Sequence, residues 1–386
     1  MKKIIFVLLA LSIFTQCNGG NGDCRFAPKI STKDALNNFN LNTTAITGSD
    51  LVIMSRNLYL GADITPLLTS TSETIFENTG IFFDEVVNSQ FQRRAQGIVR
   101  EIMQIQPDII GLQEVMTYRT DDPPNLLQDT SVLDADCIEY DFLDIILDAL
   151  EDNNLNYKVA VVSPNTDIEL TDFVEKDVRI TVSNVILARE DMTITDVNTT
   201  IFTASLPVEL PGIAVNVYRS YSSILVNNYN STGVDLRVIN THLEPEPYYM
   251  VQGPQGDELI LAANSFKSFD DPIIMVGDFN SGPDTTDNTT YQNLLTNFTD
   301  SWDDNNSGID GFTCCIGLES DDPDLIYERI DHIFYWNPST GSSLVTVGSI
   351  ITQTDVGEQV IKDDENDTTI WSSDHAGRVT GFNINQ

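Results

Sequence analysis

The stretch PIIMVGDFNS (272–281) passes from an apolar run directly into polar residues. An unbroken apolar run of this length is typical of a strand that is buried on both faces. Asp278 and Asn280 follow where such a strand should reach the edge of its sheet. We therefore predict a buried strand whose end presents polar side chains to an open edge.

The same pattern recurs on both sides of this stretch. Apolar runs meet a polar residue in LVIMSRNLYL (51–60) at Asn57, PDIIGLQE (107–114) at Glu114, VDLRVINTHL (234–243) at His242 and RIDHIFYW (329–336) at Asp331. Further strands are predicted at 157–163, 179–189 and 221–229, and helices at 91–106, 142–150 and 258–269. Many strands with a few interleaved helices predict one large α/β domain of packed sheets.

The charge excludes some classes of function. The chain has 58 acidic and 20 basic residues, for a formal net charge of −38. A passive binder of nucleic acid or of anionic membranes would need a basic surface, so neither is expected. An anionic substrate would have to be held by local cations or by metal ions, which directs attention to a metal site.

The N-terminus predicts export. Residues 1–17 combine two lysines with a short apolar core, as in a signal peptide, and are too short to span a bilayer. Cys17 lies where a lipoprotein would be cleaved and acylated, so secretion and a lipid anchor through Cys17 both stay open. Residues 18–48 are predicted to be a flexible tether and 49–386 the catalytic domain. No transmembrane span or protein partner is expected, and the chain is expected to be a monomer.

The remaining cysteines permit two interpretations. Cys24, Cys137, Cys314 and Cys315 would favour disulfides in an oxidising compartment. The adjacent Cys314 and Cys315 could bridge each other through an eight-membered ring, or each could bond a distant partner such as Cys137.

Polar residues at strand ends become informative because they occur together. One carboxylate at a strand end is usually only solvated. The chain has just three histidines, His242, His332 and His375, and each lies beside a carboxylate in a strand-end segment. Histidine is the side chain suited to proton transfer near neutral pH, so a catalytic cluster is predicted.

These segments, in this order, resemble the motifs of the endonuclease/exonuclease/phosphatase family, which has the DNase I-like fold. They are RNLYLGAD (56–63), PDIIGLQE (107–114), NTHLE (240–244), MVGDFNS (275–281), ERIDHIF (328–334) and SSDHAG (372–377). The resemblance covers about residues 50 to 386. It implies a four-layer α/β sandwich, in which two mixed sheets pack face to face with helices outside. It also implies a metal-dependent phosphoric ester hydrolase.

The resemblance assigns metal ligands. Glu114 resembles the metal-binding glutamate, Asn57 its partner on the first strand, and Asp374 a further ligand. An oxygen-rich shell suits Mg²⁺, Mn²⁺ or Ca²⁺ better than zinc. Many relatives have an aspartate where this chain has Tyr59, and whether Asp63 replaces it stays open.

The resemblance also assigns catalytic residues. His375 would accept a proton from the attacking water or stabilise the phosphate, and Asp331 would orient its ring. Asp278 would position or activate the water. Asn280 would contact the phosphate, and His242 would bond a phosphate oxygen or the leaving group. Attack on phosphorus requires this combination of a base and hydrogen-bond donors.

Other residues near the motifs receive structural or weaker roles. His332 follows Asp331 on a strand and is predicted to point to the opposite face. Arg93 and Arg94 are predicted to be solvated, whereas Arg179 and Arg219 are candidate phosphate contacts.

The sequence therefore predicts a secreted phosphoesterase that cleaves phosphodiesters, with an extracellular nuclease as the first hypothesis. The alternative is a sphingomyelinase-like or small-organophosphate phosphodiesterase or phosphatase. A non-catalytic surface binding protein is a third class, and the complete proton-transfer set argues against it.

Overall fold

The computed structural model describes residues 40–121, 133–171, 176–285, 289–355, 358–363 and 368–385. Its strands are β1 (Leu51–Asn57), β2 (Ile109–Asp121), β3 (Cys137–Asp141), β4 (Tyr157–Thr171), β5 (Asp177–Arg189), β6 (Thr193–Ile201), β7 (Leu206–Leu210), β8 (Ile213–Val217), β9 (Ser220–Asn227), β10 (Leu236–His242), β11 (Ile273–Asp278), β12 (Thr299–Asp300), β13 (Asp331–Trp336), β14 (Ser343–Ile351), β15 (Val360–Asp363), β16 (Thr368–Ile370) and β17 (Arg378–Asn385). Its α-helices are α1 (Thr65–Leu68), α2 (Ile75–Asn88), α3 (Phe91–Ile105), α4 (Phe142–Asp152), α5 (Tyr249–Phe266), α6 (Thr290–Leu295) and α7 (Ser301–Asn305).

Two large sheets form the centre of the fold. The first sheet has the order β14-β17-β1-β2-β5-β4, with β3 beside β2, and the second has the order β12-β13-β11-β10-β9-β6. The pairs β1-β2 and β10-β11 are parallel, whereas their other neighbours are antiparallel. Both sheets are therefore mixed, and each has its parallel pair near its middle.

Alternate residues of the strands supply two kinds of core. Ile274 of β11 packs with Ile53 of β1 in the cluster between the sheets. Its neighbour Ile273 faces the other way and packs with Leu259 of α5. Helices α2, α3 and α4 cover the outer face of the first sheet in the same manner. This period of two produces four layers, so the predicted sandwich of two mixed sheets with outer helices is confirmed.

The boundaries differ from prediction in places. Helix α5 begins at Tyr249 rather than at residue 258, and Pro254 lies within it. The end of the predicted tether packs on the domain, because Leu41 and Ile46 are buried. Residues 1–39 lie outside the described residues, and so do Cys17, Cys24 and the predicted signal peptide. Within the described ranges, no helix has both the length and the apolar character needed to cross a membrane.

The burial of Arg94 contradicts its prediction. It was predicted to be solvated, but its side chain is fully buried. Its Nη1 donates to the carbonyl oxygens of Leu58 at 2.5 Å and Ser372 at 3.2 Å. A buried guanidinium is tolerated when several of its donors find acceptors. Arg94 thus joins the loop that follows Asn57 of β1 to the loop that carries Asp374 and His375 before β17.

Candidate active site

Three neighbouring strands of the second sheet place side chains in one row. His242 ends β10, Asp278 ends β11 and Asp331 begins β13. His242 is paired in register with Asp278, and Asp278 with Asp331. Residues that are paired across strands project from the same face of the sheet. The strand-end pattern in the sequence therefore corresponds to one continuous edge.

The first sheet contributes Asn57 and Glu114 to the same edge. The register of β2 against β5 shifts between Leu112 and Val115, which is a β-bulge, and Glu114 within it has φ 54°. A bulge redirects the side chain that it carries. Oε2 of Glu114 accepts a bond from the Leu60 amide at 2.5 Å, and Oε1 lies 3.3 Å from Nδ2 of Asn57.

Asp278 links the two sheets. Its Oδ2 accepts a bond from Nδ2 of Asn57 at 3.1 Å and lies 3.4 Å from Nε2 of His242 and 3.9 Å from Nε2 of His375. Burial and the neighbouring Asp331 raise the pKa of Asp278 to about 7. The Asp278 carboxylate thus lies between Asn57 of the first sheet, His242 of the second sheet and His375 of the loop before β17.

His375 is oriented by Asp331. Nδ1 of His375 lies 2.8 Å from Oδ2 of Asp331, so the ring donates there and directs Nε2 toward Asp278. Burial opposes the charged ring, but Asp331 and then Asp374 outweigh it and hold the pKa of His375 well above its usual value. The orienting role predicted for Asp331 agrees with this geometry.

His242 has the opposite electrostatic environment. Nη1 of Arg219 lies 3.0 Å from Nδ1 of His242, and Nε of Arg219 donates to Glu244 at 3.1 Å. A guanidinium has no acceptor, so Nδ1 must accept and Nε2 must carry the hydrogen. Burial first, and then Arg219 and His375, hold the pKa of His242 well below its usual value. His242 is therefore a neutral donor.

Asp374 brings a further carboxylate to the cluster. Its Oδ1 lies 3.9 Å from Nε2 of His375. Burial raises its pKa to about 6; His375 opposes the shift and Glu114 adds to it. Oδ1 of Asp331 is buried without a hydrogen-bond partner among the described residues. Crowded carboxylates with an unsatisfied buried oxygen fit a hard divalent cation.

Asn280 joins the cluster to a neighbouring pocket. Its amide donates to Oδ1 of Asp278 at 2.9 Å, and its Nδ2 donates to the Leu243 carbonyl at 2.9 Å. It also lines an open pocket of about 280 Å³, here called the acidic pocket. The charged residues that line this pocket with Asn280 are Glu246, Asp284, Glu328 and Arg329.

The acidic pocket is negative and electrostatically continuous with the cluster. Burial, and then Glu246, raise the pKa of Glu328, whereas His375 lowers it. The main chain joins the two places: the Cys314 amide donates to the Glu328 carbonyl at 2.9 Å, and Sγ of Cys314 lies 3.4 Å from Nε2 of His375. Arg329 contributes little positive charge to the pocket, because its Nη2 pairs with Oδ1 of Asp303 at 2.9 Å.

The structure answers the question left open at Tyr59 and Asp63. Asp63 is exposed, and its Oδ1 accepts a bond from the Thr65 amide at 2.8 Å. It therefore caps a local turn and does not replace the missing aspartate. Tyr59 is the residue that contacts the cluster here, because its amide donates to Oδ1 of Asn57 at 2.9 Å. Burial, and then Asp374, raise the pKa of its hydroxyl, with Glu114 adding to the shift.

The two candidate phosphate-binding arginines have different surroundings. Arg179 makes a two-bond pair with Asp167, at 2.9 and 2.6 Å. Arg219 lies at the cluster, where its Nε donates to Glu244 and its Nη1 to His242, so its role as a phosphate contact stays a prediction. His332 faces away from the cluster, as predicted, and Nε2 lies 3.0 Å from the Ser281 carbonyl oxygen.

All eight predicted site residues are brought together by these contacts. Of the two cysteine interpretations, the structure has the disulfide between the adjacent Cys314 and Cys315. The sequence did not reveal the pairing of Arg219 with Glu244, or the approach of Cys314 to His375. Sγ of Cys314 lies 3.4 Å from Nε2 of His375. No local pattern signals the Arg219–Glu244 or the Cys314–His375 contact, because each joins residues from different segments of the chain.

The family model for the endonuclease/exonuclease/phosphatase family matches residues 82–375. The resemblance drawn from the motifs is therefore confirmed. Members of this family hydrolyse phosphoester bonds, and the prediction of a phosphoester hydrolase is confirmed at that level. No curated protein matches the sequence.

Solved structures share the fold at low identity. The mannosyl-6-phosphatase of Bacteroides thetaiotaomicron has a TM-score of 0.51 at 17% identity, over 86% of this chain and 99% of that one. A protein of the same family from Leptotrichia buccalis has a TM-score of 0.51 at 16% identity, over 86% of this chain and 99% of its own. A family protein from Bacteroides vulgatus has a TM-score of 0.50 at 15% identity, over 87% of this chain and 99% of its own. At these identities the likeness establishes the fold alone.

Proposed function

This chain belongs to the endonuclease/exonuclease/phosphatase family, and from that premise we propose that it is a divalent-metal-dependent phosphoesterase for a small organophosphate. The observation that carries the choice of substrate is the acidic pocket beside Asn280. It favours the alternative substrate class over the extracellular nuclease that the sequence placed first.

The acidic pocket would repel a polyanion. In a nucleic acid, the phosphates that flank the reacting one must pass close to the site. Here they would meet Glu246, Asp284 and Glu328. Like charges disfavour such an approach, and the net charge of −38 adds to the repulsion. A substrate with one phosphate and a neutral or cationic remainder avoids both costs.

Two groups are placed to activate and stabilise the reaction. Oδ2 of Asp278 faces donors from Asn57, His242 and His375. We assign Asp278 to position the attacking water and take its proton. His375, held by Asp331 through Nδ1, presents Nε2–H to a phosphate oxygen. Donors that are fixed before the reaction stabilise the charge that develops on oxygen.

The remaining residues complete the assignment. His242 donates from Nε2 to a phosphate oxygen or to the leaving group, and Asn280 contacts the phosphate. Asn57, Glu114 and Asp374 would hold Mg²⁺, Mn²⁺ or Ca²⁺. The cation would supply Lewis-acid neutralisation of the phosphate oxygens. A binding protein without turnover would not need the oriented His375–Asp331 pair.

The test compares substrates and one variant. We expect the purified chain to hydrolyse bis-p-nitrophenyl phosphate or p-nitrophenyl phosphate faster than plasmid DNA, and only with an added divalent cation. Asp278→Asn should lower kcat by roughly 10²–10⁴-fold, as loss of a general base does. Asp152→Asn, at an exposed position on α4, is the matched control. Full activity in EDTA, or a preference for DNA, would contradict the proposal.

Export is part of the proposal and rests on residues 1–17. We expect the mature chain outside the cytoplasm, either released or anchored by lipid through Cys17. Fractionation of the native host, with Cys17→Ala beside the parent, distinguishes the two. Loss of membrane association only in Cys17→Ala supports the anchor, and cytoplasmic retention of the parent contradicts export.

A further inference from the structure

Cys314 and Cys315 lie against the imidazole that the proposed reaction uses. The ligand atoms of Cys314, Cys315 and His375 all lie within 4.8 Å of one another. Cys314 is buried, whereas Cys315 is partly exposed. We propose that reduction of their disulfide creates a site for a thiophilic divalent cation such as Zn²⁺, formed by these three side chains.

The geometry already approaches what such a cation requires. Tetrahedral zinc has Zn–S bonds of about 2.3 Å and Zn–N bonds of about 2.0 Å, which place sulfur and nitrogen roughly 3.5 Å apart. Sγ of Cys314 and Nε2 of His375 are 3.4 Å apart. Nδ1 is already bound to Asp331, which is the usual orienting partner of a metal-binding histidine. A water or a nearby carboxylate completes the shell.

The surrounding backbone holds these residues together. The Ile316 amide donates to the Asp374 carbonyl at 2.9 Å, and the Ala376 amide donates to the Thr313 carbonyl at 2.7 Å. The cysteine segment is thus bonded to the main chain on both sides of His375. Breaking the sulfur–sulfur bond leaves these contacts in place, so the thiols stay beside the ring.

Reduction of this disulfide needs a dithiol reductant, which supplies two electrons and two protons. A thiolate of the reductant attacks Sγ of Cys315, the sulfur–sulfur bond breaks, and Cys314 leaves as a thiolate. The second reductant thiolate then attacks the mixed disulfide. Two electrons and two protons pass to the cysteines, and the reductant becomes a cyclic disulfide. Cation binding then releases to solvent the two thiol protons and the proton on Nε2 of His375, whose Nδ1 keeps its hydrogen bond to Asp331.

A cation in this site would block the reaction, because Nε2 of His375 cannot bind both the cation and a phosphate oxygen. This consequence rests on the proposed function, whereas binding itself does not. The thiophilic site is also distinct in chemistry from the oxygen site of Glu114 and Asp374. Sulfur ligands select soft cations, and carboxylates select hard ones.

Binding is tested with Co²⁺ alone as a spectroscopic probe. The full chain is reduced with dithiothreitol, freed of it without air, and titrated with Co²⁺. We expect a thiolate-to-cobalt charge-transfer band that the unreduced protein lacks. Cys314→Ser and Cys315→Ser should each weaken Co²⁺ binding by at least tenfold, the loss that even outer-shell changes can cause. Cys137→Ser and the double variant Cys17→Ser/Cys24→Ser should keep the band.

The outcomes separate the two proposals. An equal band without reduction overturns the redox gating, and no band, or one that survives both substitutions at 314 and 315, overturns the site. Micromolar Zn²⁺ should inhibit hydrolysis in the presence of Mg²⁺ at least tenfold more strongly after reduction. If the band forms but the parent hydrolyses no phosphoester, the site stands and the proposed function fails.

Discussion

Arg219 sets the state of His242 through a single contact, Nη1 to Nδ1 at 3.0 Å. Its positive charge is one cause of the low pKa of His242, after burial. Arg219→Gln keeps a hydrogen-bond donor and removes the charge. We expect the pKa of His242 to rise, because a positive charge beside the ring is lost, and kcat to fall roughly 10–100-fold, because the ring is no longer fixed.

The rise in pKa is measured by NMR titration of the histidine ring protons, and kcat by a pH profile. In Arg219→Gln, the acidic limb of the pH profile of kcat should move to higher pH, because His242 would lose its neutral form at a higher pH than in the parent. Arg179→Gln is the matched control, because Arg179 pairs with Asp167. Unchanged titration of His242 in Arg219→Gln would contradict the assignment.

How far the sequence predicts the site depends on the kind of contact. Asn57, Glu114 and Asp278 could be found because each ends an apolar run, which is a local signal. Arg219 could be named as a candidate, but a sequence does not reveal that its Nε contacts Glu244 and its Nη1 contacts His242. Arg94 was missed because a helical arginine is usually solvated, and its acceptors are carbonyls from two distant loops.

At the scale of elements, the bulge in β2 decides where Glu114 points. Glu114→Gln keeps the side-chain shape but removes the charge that would attract a cation. We expect the Mg²⁺ concentration for half-maximal activity to rise at least tenfold, because even the loss of a residue that only supports a metal ligand typically lowers metal affinity by about that much. Thermal unfolding in EDTA should be nearly unchanged. Glu209→Gln, exposed on β7, is the control, and an unaltered Mg²⁺ requirement would remove Glu114 from the metal site.

The buried pair of Arg56 and Glu101 joins β1 to α3, with Nη2 to Oε1 at 2.9 Å. Arg56 also donates to the carbonyl of His375, so the pair supports the site. Burial outweighs Arg56 and raises the pKa of Glu101 to about 7. The folded state therefore holds an extra proton between about pH 4.5 and pH 7, and stability from this group falls as pH rises through that window.

Glu101→Gln removes that dependence. We expect the free energy of unfolding of Glu101→Gln relative to the parent to rise with pH from about 4.5 to 7, by at most about 1.4 kcal/mol per pH unit. Urea unfolding at several pH values measures it. Glu151→Gln, at an exposed position on α4, should show no such trend. A flat difference curve for Glu101→Gln would refute the assignment.

Elements with local periodicity were predicted, and those defined by distant pairing were not. The strand β11 could be identified from its apolar run alone. The pairing of β1 with β17 joins opposite ends of the chain, and no local pattern encodes it. The predicted start of helix α5, at residue 258, is later than the observed start at Tyr249, because a proline such as Pro254 usually lies at the end of a helix or before it. The layered core explains why the fold class was still correct: strand alternation is local, and it determines which faces are buried.

At the scale of the whole molecule, the charge of −38 separates the two substrate classes. Repulsion slows the approach of DNA most at low ionic strength, when screening is weakest. We expect kcat/KM for any DNA cleavage to rise as NaCl increases at saturating Mg²⁺. For bis-p-nitrophenyl phosphate, which carries one charge, kcat/KM should change by less than about twofold. A protein that binds DNA through a basic groove shows the reverse, with a log–log slope of about −0.9 per neutralised phosphate.

The acidic pocket should account for the local part of this repulsion. The double variant Glu246→Gln/Glu328→Gln removes two carboxylates from its lining. The double variant Glu151→Gln/Glu209→Gln, at two exposed positions away from the pocket, controls for the same change in net charge. We expect Glu246→Gln/Glu328→Gln to gain on DNA at low salt and to lose that gain at high salt, because screening already hides the charges there. Its kcat/KM on the small diester should stay within about twofold of the parent. A steep fall of DNA cleavage with salt in the parent would mean that DNA is held by cations, and that the pocket does not choose the substrate.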